Sequence, residues 1–272
     1  MNRVSWNPRF YRDSPIFEPV SSCAEILCTQ TSWPTCQDLN VLTESVGSNI
    51  VNSNSQPIVF VSHEKNNISN SFEQQYEPRI YLNGEVPTRE KNWHDFFNAL
   101  VWMMFPRTKA ALNQIHYQVL ARSNSCQSQT RGPLRDAATL FDESGVVVLS
   151  SQSKWITLLR QHEWKTVFWR QRASVLSSLR FIVFGHALYE KALKPYVGMT
   201  GKGVFFQVEE AFITKPVAEQ LKTVDQWLAD FVLRKLSSSA DLSPIPILGY
   251  PGWSEANASS DYYDNQWYFR PL

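Results

Sequence analysis

Apolar residues recur at helical spacing over several stretches of the chain and alternate at strand spacing over a few short ones. The best-bounded helix is predicted at Trp93–Met104, because Asn92 is a good N-cap and Pro106 stops the helix. Proline also suits a first helical turn, so a second helix is predicted from Pro106 to about Leu120. The two helices should meet at a sharp corner.

The remaining elements are predicted from the same two periodicities. Further helices are predicted at 151–160, 163–173, 175–193 and 216–236. Strands are predicted at 58–61, at 79–82 before an Asn-Gly turn, at 204–208, and at 139–142 and 146–149 as a β-hairpin. Together they predict a helix-dominated α+β fold with a small antiparallel sheet.

We expect one domain over residues 1–272 with long ordered terminal arms. Residues 1–36 contain prolines among aromatics and predict an irregular arm, and 45–75 predict polar loops around one short strand. The main body spans 79–236. Residues 244–272 are rich in aromatics and should pack on the body, because large apolar side chains gain free energy when they are buried.

Composition narrows the functional classes. A content of 43% hydrophobic and 19% charged residues predicts a folded chain, and 10 glycines without a glycine-rich phosphate loop argue against a nucleotide-binding fold. Neither a Gly-x-Ser-x-Gly elbow nor a His-Glu-x-x-His motif occurs. No apolar run suits a secretory signal or a membrane span, so we expect a cytoplasmic protein that does not enter membranes.

The helices at the corner carry polar residues in strongly apolar surroundings. Those residues are His94, Asp95, Asn98, Lys109, Asn113 and His116. Helical spacing puts His94 and Asn98 on one face, and Lys109, Asn113 and His116 on one face of the next helix. Two polar faces on adjoining helices predict one shared pocket.

A second polar pair lies in the apolar stretch 180–191. His186 and Glu190 are one helical turn apart, a spacing that lets an imidazole and a carboxylate bind one metal ion or each other. Lys202 follows in a glycine-rich turn at 198–203, which is where we expect phosphate to bind if this protein binds it.

These residues suggest a metal-assisted hydrolase acting on a phosphodiester or another phosphorylated substrate, with a divalent metal as cofactor. The general base is His94 or His116, and the amides of Asn98 and Asn113 orient what is bound. The metal-ligand candidates are Asp95, His186 and Glu190. The candidates for neutralising phosphate are Lys109 and Lys202.

Two other interpretations remain open. Residues 151–202 carry nine lysines or arginines against two acidic residues, with tryptophans interleaved. This pattern suits a non-enzymatic scaffold or binding module for nucleic acid or another anionic partner. Alternatively, the polar groups only cap helices and specify packing.

Five segments carry a resemblance to a known family. They are NWHDFFNALVWMMFPRTKAALNQIH, RDAATLFDESGVVV, RFIVFGHALYEKAL, LGYPGW and YYDNQWYFRP. In this order they resemble the bacterial family called domain of unknown function 3025, from about Tyr81 to the end of the chain. The resemblance implies a bacterial, cytoplasmic, single-domain protein and assigns no catalytic residues.

Overall fold

The computed structural model of the protein describes residues 5–46, 50–63, 71–126 and 132–272. The predicted polar loops at 45–75 fall partly outside these ranges, at 47–49 and 64–70. The first four residues of the predicted N-terminal arm and residues 127–131 also lie outside them.

Helices make up most of the regular structure. The α-helices are α1 (Ser21–Ile26), α2 (Cys36–Ser45), α3 (Tyr76–Asn83), α4 (Trp93–Met104), α5 (Pro106–Cys126), α6 (Pro133–Ser144), α7 (Ser153–Arg160), α8 (Arg172–Ser178), α9 (His186–Ala192), α10 (Glu210–Ile213) and α11 (Val217–Arg234). A π-helical turn at Thr166–Arg170 precedes α8. The predicted corner is confirmed: Asn92 caps α4 by accepting a hydrogen bond from the Asp95 amide, and α5 begins at Pro106.

The strands form two small sheets. They are β1 (Val59–Ser62), β2 (Glu85–Thr88), β3 (Gly145–Ser150), β4 (Leu179–Val183), β5 (Thr200–Gln207) and β6 (Ser243–Pro246). β1 pairs with β2 in parallel, and the larger sheet has the order β4-β3-β5-β6. The α+β class and the helical predominance are confirmed. The larger sheet is mixed, because β3 pairs with β5 in parallel and the other two pairs are antiparallel.

Two predicted strands are helical instead. Residues 79–82 belong to α3, and Gly84 with φ of 74° is the left-handed cap of that helix, so the Asn-Gly pair marks a helix end. Residues 139–142 belong to α6, which buries Ala137, Ala138 and Phe141 at helical spacing. The predicted hairpin at 139–149 is therefore wrong, and a helix runs directly into β3.

The predicted helix at 175–193 is also wrong in its middle. Residues 179–183 form β4, which is inserted between α8 and α9, because the run Phe181–Val183 is buried and pairs with β3 at the edge of the larger sheet. The predicted glycine-rich turn at 198–203 ends early, since β5 starts at Thr200.

Both terminal arms cover the body. The N-terminal arm holds short 3-10 helices at Phe10–Arg12 and Pro15–Val20 as well as α1, so it is more regular than predicted. Its Phe17 ring lies 5.8 Å from Phe97 of α4 and 6.1 Å from Tyr189 of α9. In the C-terminal arm the aromatic side chains of Tyr250, Trp253, Tyr263, Tyr268 and Phe269 are buried.

A carboxylate from α11 caps the start of α5. Asp225 accepts hydrogen bonds from the main-chain amides of Arg107 (3.0 Å) and Thr108 (2.9 Å) and from the Thr108 hydroxyl (2.7 Å). These amides have no partner within their own helix, and the positive end of the helix dipole favours an anion there. The corner between α4 and α5 therefore depends on a residue more than one hundred positions later.

We predict that Gly185→Ala destabilises the fold by roughly 1–3 kcal/mol, the usual cost of overpacking. A Cβ at this position would lie 2.5 Å from the carbonyl oxygen of Glu143 and from the amide nitrogens of Ser144 and Gly145. Urea unfolding measures the loss. Gly132→Ala is the control, because its Cβ would meet nothing within 4 Å, and a loss as large as that of Gly185→Ala would contradict the prediction.

Candidate metal centre

The pairing of β3 with β4 brings together two residues that are far apart in sequence. Val146 of β3 pairs with Val183 of β4 in antiparallel register. Glu143 lies three residues before Val146 and His186 three residues after Val183, so both leave the sheet at the same end. The amide of Gly185 donates to the carbonyl of Gly145 (2.9 Å) and closes this end.

The third group comes from α4, which packs against α9. Phe97 of α4 lies 5.6 Å from Tyr189 of α9 between ring centroids, and this apolar contact holds the two helices together. On the polar side, the rings of His94 and His186 meet edge to face with centroids 4.4 Å apart.

His94, His186 and Glu143 form a compact set of potential metal ligands. Their donor atoms all lie within 4.8 Å of one another. The two Nε2 atoms are 3.0 Å apart, and the Glu143 carboxylate oxygens lie 3.7 Å from His186 Nε2 and 3.9 Å from His94 Nε2. We call these three residues the His-His-Glu cluster.

Glu190 orients the His94 ring from behind. Its carboxylate lies 3.1 Å from His94 Nδ1, which leaves Nε2 directed at His186. The hydrogen bond to Glu190 raises the pKa of His94 above its usual value, with smaller contributions from the charges of Glu143, Glu190 and Asp95, and it outweighs the opposing effect of burial. His186 and Glu190, which the sequence predicted to lie close together, are thus both in contact with His94, which lies between them.

His186 is buried and is held in its neutral form. Burial lowers the pKa of this imidazole to about 3, against the opposing charge of Asp142. Its Nδ1 is buried without a hydrogen-bond partner among the described residues, and Asp142 Oδ2 lies 3.8 Å away. A neutral imidazole keeps a lone pair, which is the form that binds metal ions.

Asp142 and Lys109 form a buried ion pair beside His186. Lys109 Nζ lies 2.6 Å from Asp142 Oδ1 and 5.6 Å from the centre of the Trp102 ring, and its side chain is only 6% exposed. Burial alone would raise the pKa of Asp142, but the charge of Lys109 and its hydrogen bond to the carboxylate lower the pKa below its usual value. Glu143, next in sequence, has its pKa raised by burial and by the charge of Asp142.

A cavity of about 360 Å³ opens onto the His-His-Glu cluster. Of the predicted catalytic residues, His94, Asp95, Asn98 and His116 all line it. His116 is buried, and the structure gives its ring no hydrogen bond to another described residue.

The other predicted side chains near the cavity form hydrogen bonds with neighbouring residues. The Asp95 carboxylate accepts from the Arg89 guanidinium (2.7 and 3.0 Å) and from its main-chain amide (2.7 Å). Asn98 donates to the Tyr76 hydroxyl (3.0 Å). Asn113 donates to the carboxylate of Glu77 (2.7 Å), which itself lines the cavity.

Lys202 lies elsewhere. It is half-buried on β5, opposite Gly145 on one side and Pro244 on the other, and it is not among the residues that line the cavity. Lys109 is close to the cluster, but its ammonium group forms an ion pair with Asp142. The two lysines predicted to neutralise phosphate are therefore not brought together.

Two of the three tryptophans in the basic stretch 151–202 are withdrawn from the surface, and Trp169 is half-buried. Trp155 and Trp164 are buried, so their rings are not available to nucleobases. Lys165 pairs with Asp264 (2.6 Å), and Arg172 donates to the Asn257 carbonyl (2.9 Å). Part of the positive charge of this stretch is therefore bound by polar groups of the C-terminal arm.

Sequence reasoning missed Glu143 and Asp142 as site residues. The predicted hairpin at 139–149 put both at or beside its turn, where turn geometry alone favours residues such as aspartate. The helical spacing of Ala137, Ala138 and Phe141 was the available signal, because it continues α6 up to the first residue of β3.

A comparison with protein families gives a match over most of the chain. The family described as Protein of unknown function (DUF3025) matches residues 58–272, which is most of the chain. The chain belongs to this family. The matched region contains every residue of the His-His-Glu cluster, whereas Phe17, which supports α4 and α9 in this DUF3025 member, lies before it.

No curated protein and no solved structure matches the chain significantly. Among the described helices, none combines the length and the apolar character needed to cross a bilayer.

We predict that Glu190→Gln lowers the pKa of His94 in the metal-free protein, because it removes the carboxylate that stabilises the imidazolium. A histidine whose pKa is higher in the folded protein stabilises the fold at pH values below its unfolded pKa of about 6.5. This stabilisation is lost as the pH rises through the pKa of the folded protein. The variant should therefore be less stable than wild type in acid, and the difference should narrow in alkali.

An NMR titration of the histidine rings measures this pKa directly. Glu210→Gln, at an exposed position of α10, serves as the control and should leave the His94 midpoint in place. An unchanged midpoint in Glu190→Gln would contradict the assigned pairing.

We predict that Lys109→Met costs about 3 kcal/mol in the free energy of unfolding, because it leaves the Asp142 carboxylate beside His186 without its cation. Lys165→Met is the matched control: it breaks the more exposed pair with Asp264 and should cost about 1 kcal/mol or less. Urea denaturation of both variants tests this. Equal losses in the free energy of unfolding would contradict a larger contribution from the Lys109–Asp142 pair.

Proposed function

We propose that this protein is a hydrolase that binds one divalent metal ion through His94, His186 and Glu143 and acts on a phosphorylated substrate. The observation that carries the proposal is the convergence of two imidazole Nε2 atoms and one carboxylate within 4.8 Å at the cavity.

The distances suit a shared cation. At zinc–nitrogen distances of about 2.0–2.1 Å and tetrahedral angles, two ligand nitrogens lie roughly 3.3 Å apart. The Nε2 atoms here are 3.0 Å apart, and the carboxylate oxygens are 3.7 and 3.9 Å from them. Small adjustments of the side chains bring all three groups to bonding distance.

The groups behind the ligands support the same role. Metal-binding imidazoles usually donate their second ring N–H to a carboxylate, which sets the tautomer and the orientation of the ring. Glu190 lies 3.1 Å from His94 Nδ1, and Asp142 lies 3.8 Å from His186 Nδ1. Each imidazole therefore has a carboxylate on the side away from its partner.

Charge gives an independent argument for a cation. Among the described residues, Glu143, Glu190 and Asp142 surround the two histidines, and Lys109 balances only Asp142. Several carboxylates near one point repel one another, and a divalent ion relieves that repulsion. Two imidazoles with one carboxylate leave coordination positions open for water and substrate, as in catalytic zinc sites.

A divalent ion held by His94, His186 and Glu143 would lower the pKa of a coordinated water and polarise a phosphoryl oxygen. In the proposed reaction the water oxygen forms a bond to phosphorus and the bond from phosphorus to the leaving oxygen breaks. His116 accepts the proton that water loses and returns it to the leaving oxygen. With His94 as a ligand, His116 is the remaining general base of the two that the sequence predicted.

We predict that the purified protein binds one divalent ion per chain and is stabilised by it, by about 2.7 kcal/mol at a metal concentration one hundred times the Kd. His186→Ala and Glu143→Gln should each abolish this stabilisation, because each removes a ligand. Metal analysis and thermal unfolding over Zn²⁺, Mn²⁺, Fe²⁺, Mg²⁺ and EDTA provide the measurement.

His162→Asn is the control for the histidine variants. His162 is not among the residues that line this cavity, and asparagine tolerates its left-handed φ of 59°. A set of phosphate mono- and diesters, with carboxylic esters for comparison, then tests activity of the metal-loaded protein. Absence of bound metal, or equal stabilisation of wild type and Glu143→Gln, would refute the proposal.

A further inference from the structure

One face of α6 forms part of the cavity wall. Arg135, Thr139, Asp142 and Glu143 all line the cavity, at the spacing that places side chains along one side of a helix. The C-terminal end of this face supplies a ligand of the His-His-Glu cluster, and the N-terminal end supplies a guanidinium.

Arg135 differs from Arg89, which also lines the cavity, and from Lys109, which is buried and does not line it. Arg89 is bound by Asp95, and Lys109 is bound by Asp142. Arg135 is half-buried, and within the described part of the chain its side chain makes neither a hydrogen bond nor an ion pair. Because a charge that is partly removed from water is costly without a partner, an unpaired guanidinium in a cavity is well suited to a partner that arrives with the ligand.

The separation along α6 distinguishes this position from the metal centre. Arg135 precedes Glu143 by eight residues, which corresponds to about 12 Å along a helix axis. An anion bound by Arg135 is therefore a different chemical group from the one that contacts the metal.

We propose that the cavity contains an anion subsite at Arg135, which binds a second oxyanion of the substrate, a phosphate or a carboxylate, on the order of 10 Å from the metal. The inference rests on the proposed function for the identity of the reacting centre. The substrate class becomes an ester with a charged group at some distance from the bond that is hydrolysed.

The chemistry of the subsite fits an oxyanion. A guanidinium presents two parallel N–H donors that match carboxylate and phosphate oxygens. The imidazoles of His63 and His116 also line the cavity and add potential donors. Asp95 and Asp142 are neutralised by Arg89 and Lys109, and Glu77 accepts a hydrogen bond from Asn113. Among the described residues, none of these three carboxylates forms an ion pair with Arg135.

Titration calorimetry with inorganic phosphate, and separately with acetate, tests the subsite. Wild type, Arg135→Gln and Arg234→Gln are each titrated after EDTA treatment and again after loading with the metal that stabilises the protein. Arg234 is a fitting control because its side chain is 77% exposed on α11. We expect Arg135→Gln to weaken binding about tenfold or more, the range for a lost hydrogen bond to a charged group, with metal affinity unchanged.

The outcomes separate the two proposals. Equal anion affinity in wild type and Arg135→Gln, or no binding of either anion to any form, would overturn the subsite. If no metal binds, the proposed function fails, and the titrations of EDTA-treated protein still decide whether Arg135 binds anions.

Phosphorus relaxation in Mn²⁺-loaded protein gives the position of the anion. A phosphate on the order of 10 Å from the ion supports the subsite. Phosphate bound only as a direct metal ligand, with the same affinity in Arg135→Gln, would contradict it. Stronger binding of acetate than of phosphate would identify the second oxyanion as a carboxylate.

Discussion

The arrangement of the site depends on the antiparallel register of β3 and β4. Val146 opposite Val183 makes Glu143 and His186 leave the sheet side by side, and the close approach of Gly185 to the main chain at 143–145 keeps them there. The third residue of the His-His-Glu cluster, His94, is positioned by the packing of α4 on α9, which Phe17, Phe97 and Tyr189 secure from the apolar side. Hydrophobic packing thus sets the position of polar groups on the opposite side of the same helices.

Burial decides which charged residues act on a ligand and which act on their neighbours. Lys109 is too deeply buried to remain without a counter-ion, so Asp142 neutralises it, and the pair in turn sets the electrostatic surroundings of His186. Arg135 is half-buried in an open cavity and can remain solvated until a ligand arrives. Lys109, buried outside the cavity lining, and Arg135, within the lining, therefore differ in role through their depth.

Local sequence signals predicted α4 and α5 well, because caps and prolines act over a few residues. Asn92 and Pro106 bound these helices as expected, and His94, Asn98 and His116 face one cavity as helical spacing requires. Glu143 was missed because its proximity to His186 arises from strand pairing across about forty residues, which no local pattern encodes. Arg135 was missed for a related reason: its position matters only once α6 is recognised as a helix.

The cap that Asp225 places on α5 has a consequence for the order in which the protein can fold during synthesis. The first amides of α5 find their partner only after residue 225 has left the ribosome, although His94 and His116 were made more than one hundred residues earlier. Contacts of such long sequence separation form late and slow folding. The nascent chain would therefore hold the histidines of the site on an incompletely capped helical corner, and the site would acquire its final geometry only after residue 225 has emerged.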